Sequence, residues 1–270
     1  MINKWIGPYF GGMRLCDIGN LEVQQWVNGM PESTKMRSRI VTHFNLIWKK
    51  ARLWGYTKEA SPAEGISLGP RRTSFQREIP TDDQYRHIVA ILPDPLGEMA
   101  ELVVSTGLRI SEVRGLYVRT VDIAHRAVRV ETRKDSLDHF DDPKTEAGRR
   151  ILPLGAMAVK MALRIRGRAP NELVYDAGCY EYCQERLRDA AKLAGFVSRG
   201  FGWHSLRRCH NTWYRKTGGS RDDAKAQMGH ATDQVNDLYL IPESEDFQRR
   251  EEQVLKMQTL LMGEAKGGIA

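Results

Sequence analysis

Four short stretches hold side chains able to act on an anion. In "WHSLRRCHNTW", a helix puts His204 and Arg207, three residues apart, on one side. Leu206, Cys209, His210 and Trp213 fall on the other side, so His210 and Cys209 read as core-flanking residues. In "STGLRISEVRGL", Arg109 comes just after Gly107, where a helix closes and a side chain can project into a cleft. "DDPKTEAGRRILPL" carries Lys144 near the second strand of a β-hairpin, and "QMGHATDQVNDLYL" carries His230 after Gly229, with Tyr239 nine residues further on. Arginine and lysine hold anions, imidazole exchanges protons near neutral pH, and a phenol becomes a nucleophile once deprotonated. Each residue also has an ordinary reading. His204 and Arg207 fit a solvated helix face, Lys144 a solvated hairpin and His230 a helix cap. Tyr239 fits a core tyrosine beside Val235 and Leu238.

The whole chain favours a polyanionic partner, with net charge +7 and a pI near 9.3 over 270 residues. A hydrophobic content of 41% is ample for packed cores. "MINKWIGPYFGG" lacks the apolar stretch of a signal peptide, and no apolar run is long enough to span a bilayer. Four cysteines make no disulfide framework, and Cys179 and Cys183 have no second pair to complete a zinc site. No cofactor or metal is expected, because no carboxylate cluster suggests Mg²⁺. The protein is expected to be cytoplasmic, with reduced thiols.

The elements that must position these residues fall into two regions. The first seventy residues read as helical, with Ile40, His43, Phe44, Ile47 and Trp48 forming an apolar stripe and Lys35, Arg37, Arg39, Lys49, Lys50 and Arg52 flanking it. Residues 61–80, with Pro62, Pro70 and Pro80, lose this periodicity and read as a linker. Gly65, Ser67 and Gly69 match the G-x-S-x-G pattern of serine hydrolases, but nearby prolines remove the strand and helix that pattern needs. "TDDQ", residues 81–84, is a capping box that opens the second region. A helix then ends near Gly107, and Ser111 is expected to cap the next, with Glu112 in its first turn. "AVRVET" alternates as a strand, "RRILPL" is its partner, and a long polar connection joins them.

Together these segments resemble the tyrosine recombinases, the phage integrase-like enzymes. The carriers are "TGLRISEV" with Arg109, "KTEAGRRILPL" with Lys144, "HSLR" with His204 and Arg207, Gly229-His230, and Tyr239. Lys134 is the fallback for the lysine. Departures are Ser205 and Arg208 in "HSLRR", and "QMGH" where "LLGH" is commoner. The resemblance covers roughly residues 81–243. It implies a mainly α fold with a small antiparallel β-sheet, in two domains. Residues 1–66 are the expected helical core-binding, SAM-like domain, without the helix that usually precedes "WIGPYFGG". Residues 67–80 are the linker, 81–243 the α+β catalytic domain and 244–270 a C-terminal helix or tail.

What the resemblance implies chemically is a site-specific recombinase or integrase that cleaves and rejoins DNA through a 3′-phosphotyrosyl intermediate. Its catalytic residues would be Arg109, Lys144, His204, Arg207, His230 and Tyr239, with Glu112 as structural support. Its partner would be a double-stranded DNA recombination site, bound as a homo-tetramer by a protein monomeric in its absence. Alternatives are a catalytically inactive DNA-binding protein of the same fold, or a type IB topoisomerase-like strand transferase. Phe247, Val254, Met257 and Leu260/Leu261 share a helical face that could pack on its own domain or dock on a neighbouring subunit.

Overall fold

The computed structural model describes residues 1–70, 78–143, 148–229, 242 and 244–262. Expectations for Lys144, His230 and Tyr239 lie outside the described residues. The chain divides into two compact units, Met1–Gln76 and Arg77–Ala270.

In the first unit a short helical segment, Ile2–Ile6, leads into α1 (Gly7–Phe10), followed by α2 (Asn20–Gly29) and α3 (Thr34–Leu53). Ser33 caps α3, its hydroxyl accepting from the Met36 amide at 3.3 Å. The core is aromatic. Phe10 lies 4.9 Å from Trp26 and 5.1 Å from Phe44, ring centre to ring centre. The buried stripe of α3 is Ile40, Val41, Phe44, Trp48 and Ala51, whereas Ile47 is exposed. A 3.6-residue period carries the stripe toward Val41 and Ala51 and leaves Ile47 at its edge. The chain after α3 returns along the unit: the Trp48 indole donates to the Glu59 carbonyl at 3.1 Å. Gln24 exchanges hydrogen bonds with the Ser67 backbone at 2.7 and 2.9 Å, so Ser67 is an anchor of irregular chain.

The second unit opens with α4 (Asp82–Ile91), whose capping box forms as expected: the Gln84 amide donates to the Thr81 hydroxyl and the Thr81 amide to the Gln84 side chain. Next comes α5 (Leu96–Thr106), buried over most of its surface. It ends at Gly107, whose φ of +71° is left-handed, and α6 (Ile110–Arg114) follows at once. The N-cap of α6 is Arg109 and not Ser111. Glu112 explains the shift, since its carboxylate reaches back to accept from the Arg109 amide at 2.8 Å.

A three-stranded antiparallel sheet of β1 (Val121–Asp122), β2 (Ala127–Val130) and β5 (Arg150–Pro153) has the order β1-β2-β5. Pairing of Ala127 with Pro153 and of Val130 with Arg150 sets the register. The long connection is not plain loop: it holds a second hairpin, β3 (Arg133–Lys134) with β4 (Phe140–Asp141). Buried Arg114 ties this hairpin down by donating to the Asp135 carbonyl at 2.8 Å, the Asp138 carboxylate and the Gly178 carbonyl at 3.1 Å.

The helices α7 (Met157–Ile165), α8 (Tyr180–Leu193), α9 (Trp203–Lys216), α10 (Arg221–Gln227) and α11 (Glu245–Met262) complete the unit. The apolar face of α11 packs on its own unit, burying Phe247, Val254, Met257 and Leu261. Gln258 locks it there, donating to Ser105 Oγ and the Leu154 carbonyl, each at 3.0 Å, and accepting from the Ala156 amide at 2.8 Å. Among the described residues no helix is long and apolar enough to cross a membrane.

Gly107 is the joint on which Arg109 turns. A Cβ there would sit 2.8 Å from His210 and 3.0 Å from Met228, on a left-handed backbone. Gly107→Ala is therefore expected to destabilise the protein by about 2–4 kcal/mol, combining left-handed strain with overpacking. Urea denaturation checks this, and an unchanged midpoint would contradict it.

Candidate active site

Arg109 and the α9 pair converge on one cleft. A cavity of about 260 Å³ is lined by Arg109, Ser111, Lys134, Tyr180, His204 and Arg207, among others. The sheet hairpin supplies Lys134, the α5–α6 turn supplies Arg109, and the first two turns of α9 supply His204 and Arg207. His204 is exposed at the start of α9, where the positive end of the helix dipole also favours an anion. Lys134 lies over the Phe140 ring at 5.6 Å and 3.7 Å from Asp138.

The sequence reading put Arg207 on the side of its helix that points away from the core-flanking residues, with a solvated face as the ordinary alternative. It is instead buried, at 2% exposure. The reason is that α9 is enclosed on nearly every side: Ser205, Leu206, Cys209, His210, Trp213 and Tyr214 are buried as well. Arg207 donates to the Gly107 and Met228 carbonyls and thus joins the α5–α6 turn to the end of α10. Burial, then the charge of Arg109, pulls its pKa down to about 9, and Glu112 opposes that shift. The guanidinium still carries its charge at neutral pH.

Beneath the cleft lies the carboxylate of Glu112, 2% exposed. Arg109 Nη1 donates to its Oε1 at 2.7 Å. Arg150, from β5, straddles the same carboxylate at 2.9 and 3.3 Å, and Arg207 Nη1 stands 4.0 Å away. Burial alone would raise the Glu112 pKa, but the charge and hydrogen bonds of Arg150, then the Arg109 amide and charge, hold it down at about 2. Three guanidiniums against one buried carboxylate leave this cluster with formal charge +2, a charge that attracts an anion.

Arg150 was absent from the expected site, although it stands in the same "KTEAGRRILPL" segment as Lys144. Its alternation on a strand gave no sign that its partner lies 38 residues earlier in the chain. His210 took its expected place in the core: it is fully buried, with Nδ1 2.8 Å from the Val104 carbonyl. Burial lowers its pKa to about 4, and the charges of Arg207 and Arg150 add to that effect.

The cationic cleft thus lies where a helix turn, a hairpin and a buried helix meet. The phage integrase family matches residues 80–244, and the phage integrase N-terminal SAM-like domain matches residues 1–30. The chain belongs to the phage integrase family, the tyrosine recombinases. Its fold is similar to that of the Tn1549 transposon integrase in complex with transposon right end DNA, with TM-score 0.67, 16% identity, and 89% of this chain and 86% of that one covered. It is also similar to the integrase from mycobacterium phage Brujita, with TM-score 0.51, 19% identity and 96% and 85% covered. A third likeness is to a lambda integrase tetramer bound to a Holliday junction, with TM-score 0.61, 18% identity and 81% and 66% covered. A comparison with curated proteins finds no sequence match.

Two buried groups of the site make stability fall in acid. His210 stays neutral in the fold down to about pH 4, while an unfolded histidine takes a proton near 6.5. Glu112 stays ionised down to about pH 2, while an unfolded glutamate is protonated near 4.5. In both windows the unfolded chain binds the extra proton, so stability is complete above pH 6.5 and falls as pH drops through 6.5–4 and then 4.5–2. Denaturation at a series of pH values is expected to show this slope. Glu112→Gln should cost about 3–5 kcal/mol at pH 7, by leaving buried charge uncompensated, and should make the slope of the lower window shallower. A flat profile from pH 7 to 4 would contradict the assignment.

Proposed function

We propose that the protein is a catalytically active site-specific recombinase that cleaves and rejoins DNA through Tyr239. The observation that carries this reading is the meeting of Arg109, His204 and Arg207 in one cleft over a buried cluster of net positive charge. Two arginines can each donate paired hydrogen bonds to the non-bridging oxygens of a phosphodiester. Neutralising that anion lets a phenolate approach, and surrounding cations lower the phenol pKa from its usual value near 10.

In the proposed step, Tyr239 Oη forms a bond to phosphorus while the bond from phosphorus to O5′ breaks. The phenol proton leaves through His204 or solvent, and Lys144 gives a proton to O5′ as general acid. His230 donates a hydrogen bond to the phosphate. Arg109 and Arg207 stabilise the charge that builds up on the pentavalent transition state. The 3′-phosphotyrosyl product conserves the bond energy, so attack by a second 5′-hydroxyl reseals the strand without ATP. The lambda integrase likeness is to a tetramer on a Holliday junction, and we assign the same four-subunit assembly on duplex DNA to this chain, acting in the cytoplasm.

Lys134 supports a second reading for the acid, because it lines the cleft. Incubation with nicked DNA carrying the recombination site should give an SDS-resistant adduct with wild type and none with Tyr239→Phe. Absence of an adduct on any cognate site would overturn the reading. A 5′-bridging phosphorothiolate substrate, whose thiolate leaves without a proton, identifies the acid. Lys144→Ala should lose cleavage on normal DNA and recover it on the sulfur substrate. If Lys134→Ala behaves that way instead, Lys134 is the acid.

A further inference from the structure

Arg150 is the most heavily engaged cation near the cleft, yet it does not line it. Its side chain is 8% exposed. Nε donates to the Gln227 carbonyl at 2.6 Å, and Nη1 to the Gly148 carbonyl at 2.9 Å and Glu112 Oε1 at 3.3 Å. Nη2 donates to Glu112 Oε2 at 2.9 Å. With its donors directed at protein oxygens it is poorly placed to hold a phosphate. Arg109 is the opposite case: its side chain is 42% exposed, and one amino group is spent on Glu112.

The two arginines share one oxygen, Glu112 Oε1, and Arg207 waits 4.0 Å from the other. A carboxylate buried among guanidiniums takes paired, fork-like hydrogen bonds wherever geometry permits. We infer that Arg150 is a positioning residue: by occupying both oxygens of Glu112, it limits Arg109 to a single bond there and holds Arg207 off at 4.0 Å, and so leaves their remaining donors for the DNA phosphate. Arg150 also holds the Gln227 carbonyl, next to the Met228 carbonyl held by Arg207. The last turn of α10 is thereby fixed against the same cluster, two residues before Gly229 in the chain.

A purely structural arginine would behave differently. Removing it would lower stability and activity together, and a further change at Glu112 would add to the damage. The positioning role predicts the reverse coupling. In Arg150→Met the carboxylate captures the cleft arginines; in Glu112→Gln/Arg150→Met it is no longer charged and releases them. Replacing both partners of a buried pair with uncharged groups is also the change that folds tolerate best.

The inference rests on the proposed strand-transfer chemistry, so wild type is run on every plate. Single-turnover adduct formation on nicked DNA is compared for wild type, Arg150→Met, Arg150→Lys and the double variant. DNA binding and thermal melting are measured on the same samples. Arg150→Met should form adduct about 100-fold more slowly, the size of effect seen when one transition-state donor is lost. DNA affinity should stay within about threefold of wild type, because the many other phosphate contacts remain. The double variant should regain at least tenfold of that loss. Arg150→Lys keeps the charge but not the fork, and should fall between. Failure of wild type to form adduct would overturn the recombinase reading itself. A normal wild type with Arg150→Met equally fast would overturn the positioning role, as would a double variant slower than the single. Should Arg150→Met fail to fold, the double variant and Arg150→Lys decide: a double variant at least as fast as Arg150→Lys supports the role, and a slower one overturns it.

Discussion

A single buried carboxylate organises the cleft. Glu112 accepts from the Arg109 amide and side chain and from both ends of the Arg150 guanidinium, with Arg207 beside it. An ion buried this deeply costs several kcal/mol in lost hydration, which only close, fully hydrogen-bonded partners repay. Those partners come from α6, β5 and α9, so the carboxylate ties the sheet to both helices. It forms the Arg109 cap directly, while its arginine neighbours Arg207 and Arg150 hold the Gly107 turn and the end of α10. The excess of guanidinium over carboxylate gives the same cluster a net positive charge.

Much of the fold was legible in sequence, because local rules decide it. The Thr81–Gln84 box, the glycine stop at Gly107 and the alternation of residues 127–130 each gave the observed element. The buried face of α11 was also readable from Phe247, Val254, Met257 and Leu261, although spacing left open whether it packs on its own unit. Errors arose where a distant partner overrode a local preference. Ser111 is a good capping residue, but the Glu112 carboxylate turned back to the Arg109 amide and moved the cap by two positions. The connection after β2 looked like loop until Arg114 gathered Asp135 and Asp138 into a hairpin.

Site residues divide along the same line. Arg109, His204 and Arg207 were found by type and spacing, and they do meet in one cleft. The burial of Arg207 was not legible, since one helix shows which residues share a side and not how many sides are covered. Arg150 was missed for a related reason. A charged residue in a β-strand reads as solvent-facing unless its counter-ion is known, and Glu112 is distant in sequence. Buried ion pairs are therefore the feature of this site that local pattern reading was least able to supply.

The central claim is that the cleft directs Tyr239 onto a DNA phosphate. The most direct measurement is mass spectrometry of the adduct trapped on nicked DNA, after nuclease and protease digestion. One modified tryptic peptide is expected, residues 226–249, carrying a nucleotide through its 3′-phosphate on Tyr239. A nucleotide on any other residue, or one attached through a 5′-phosphate, would contradict it.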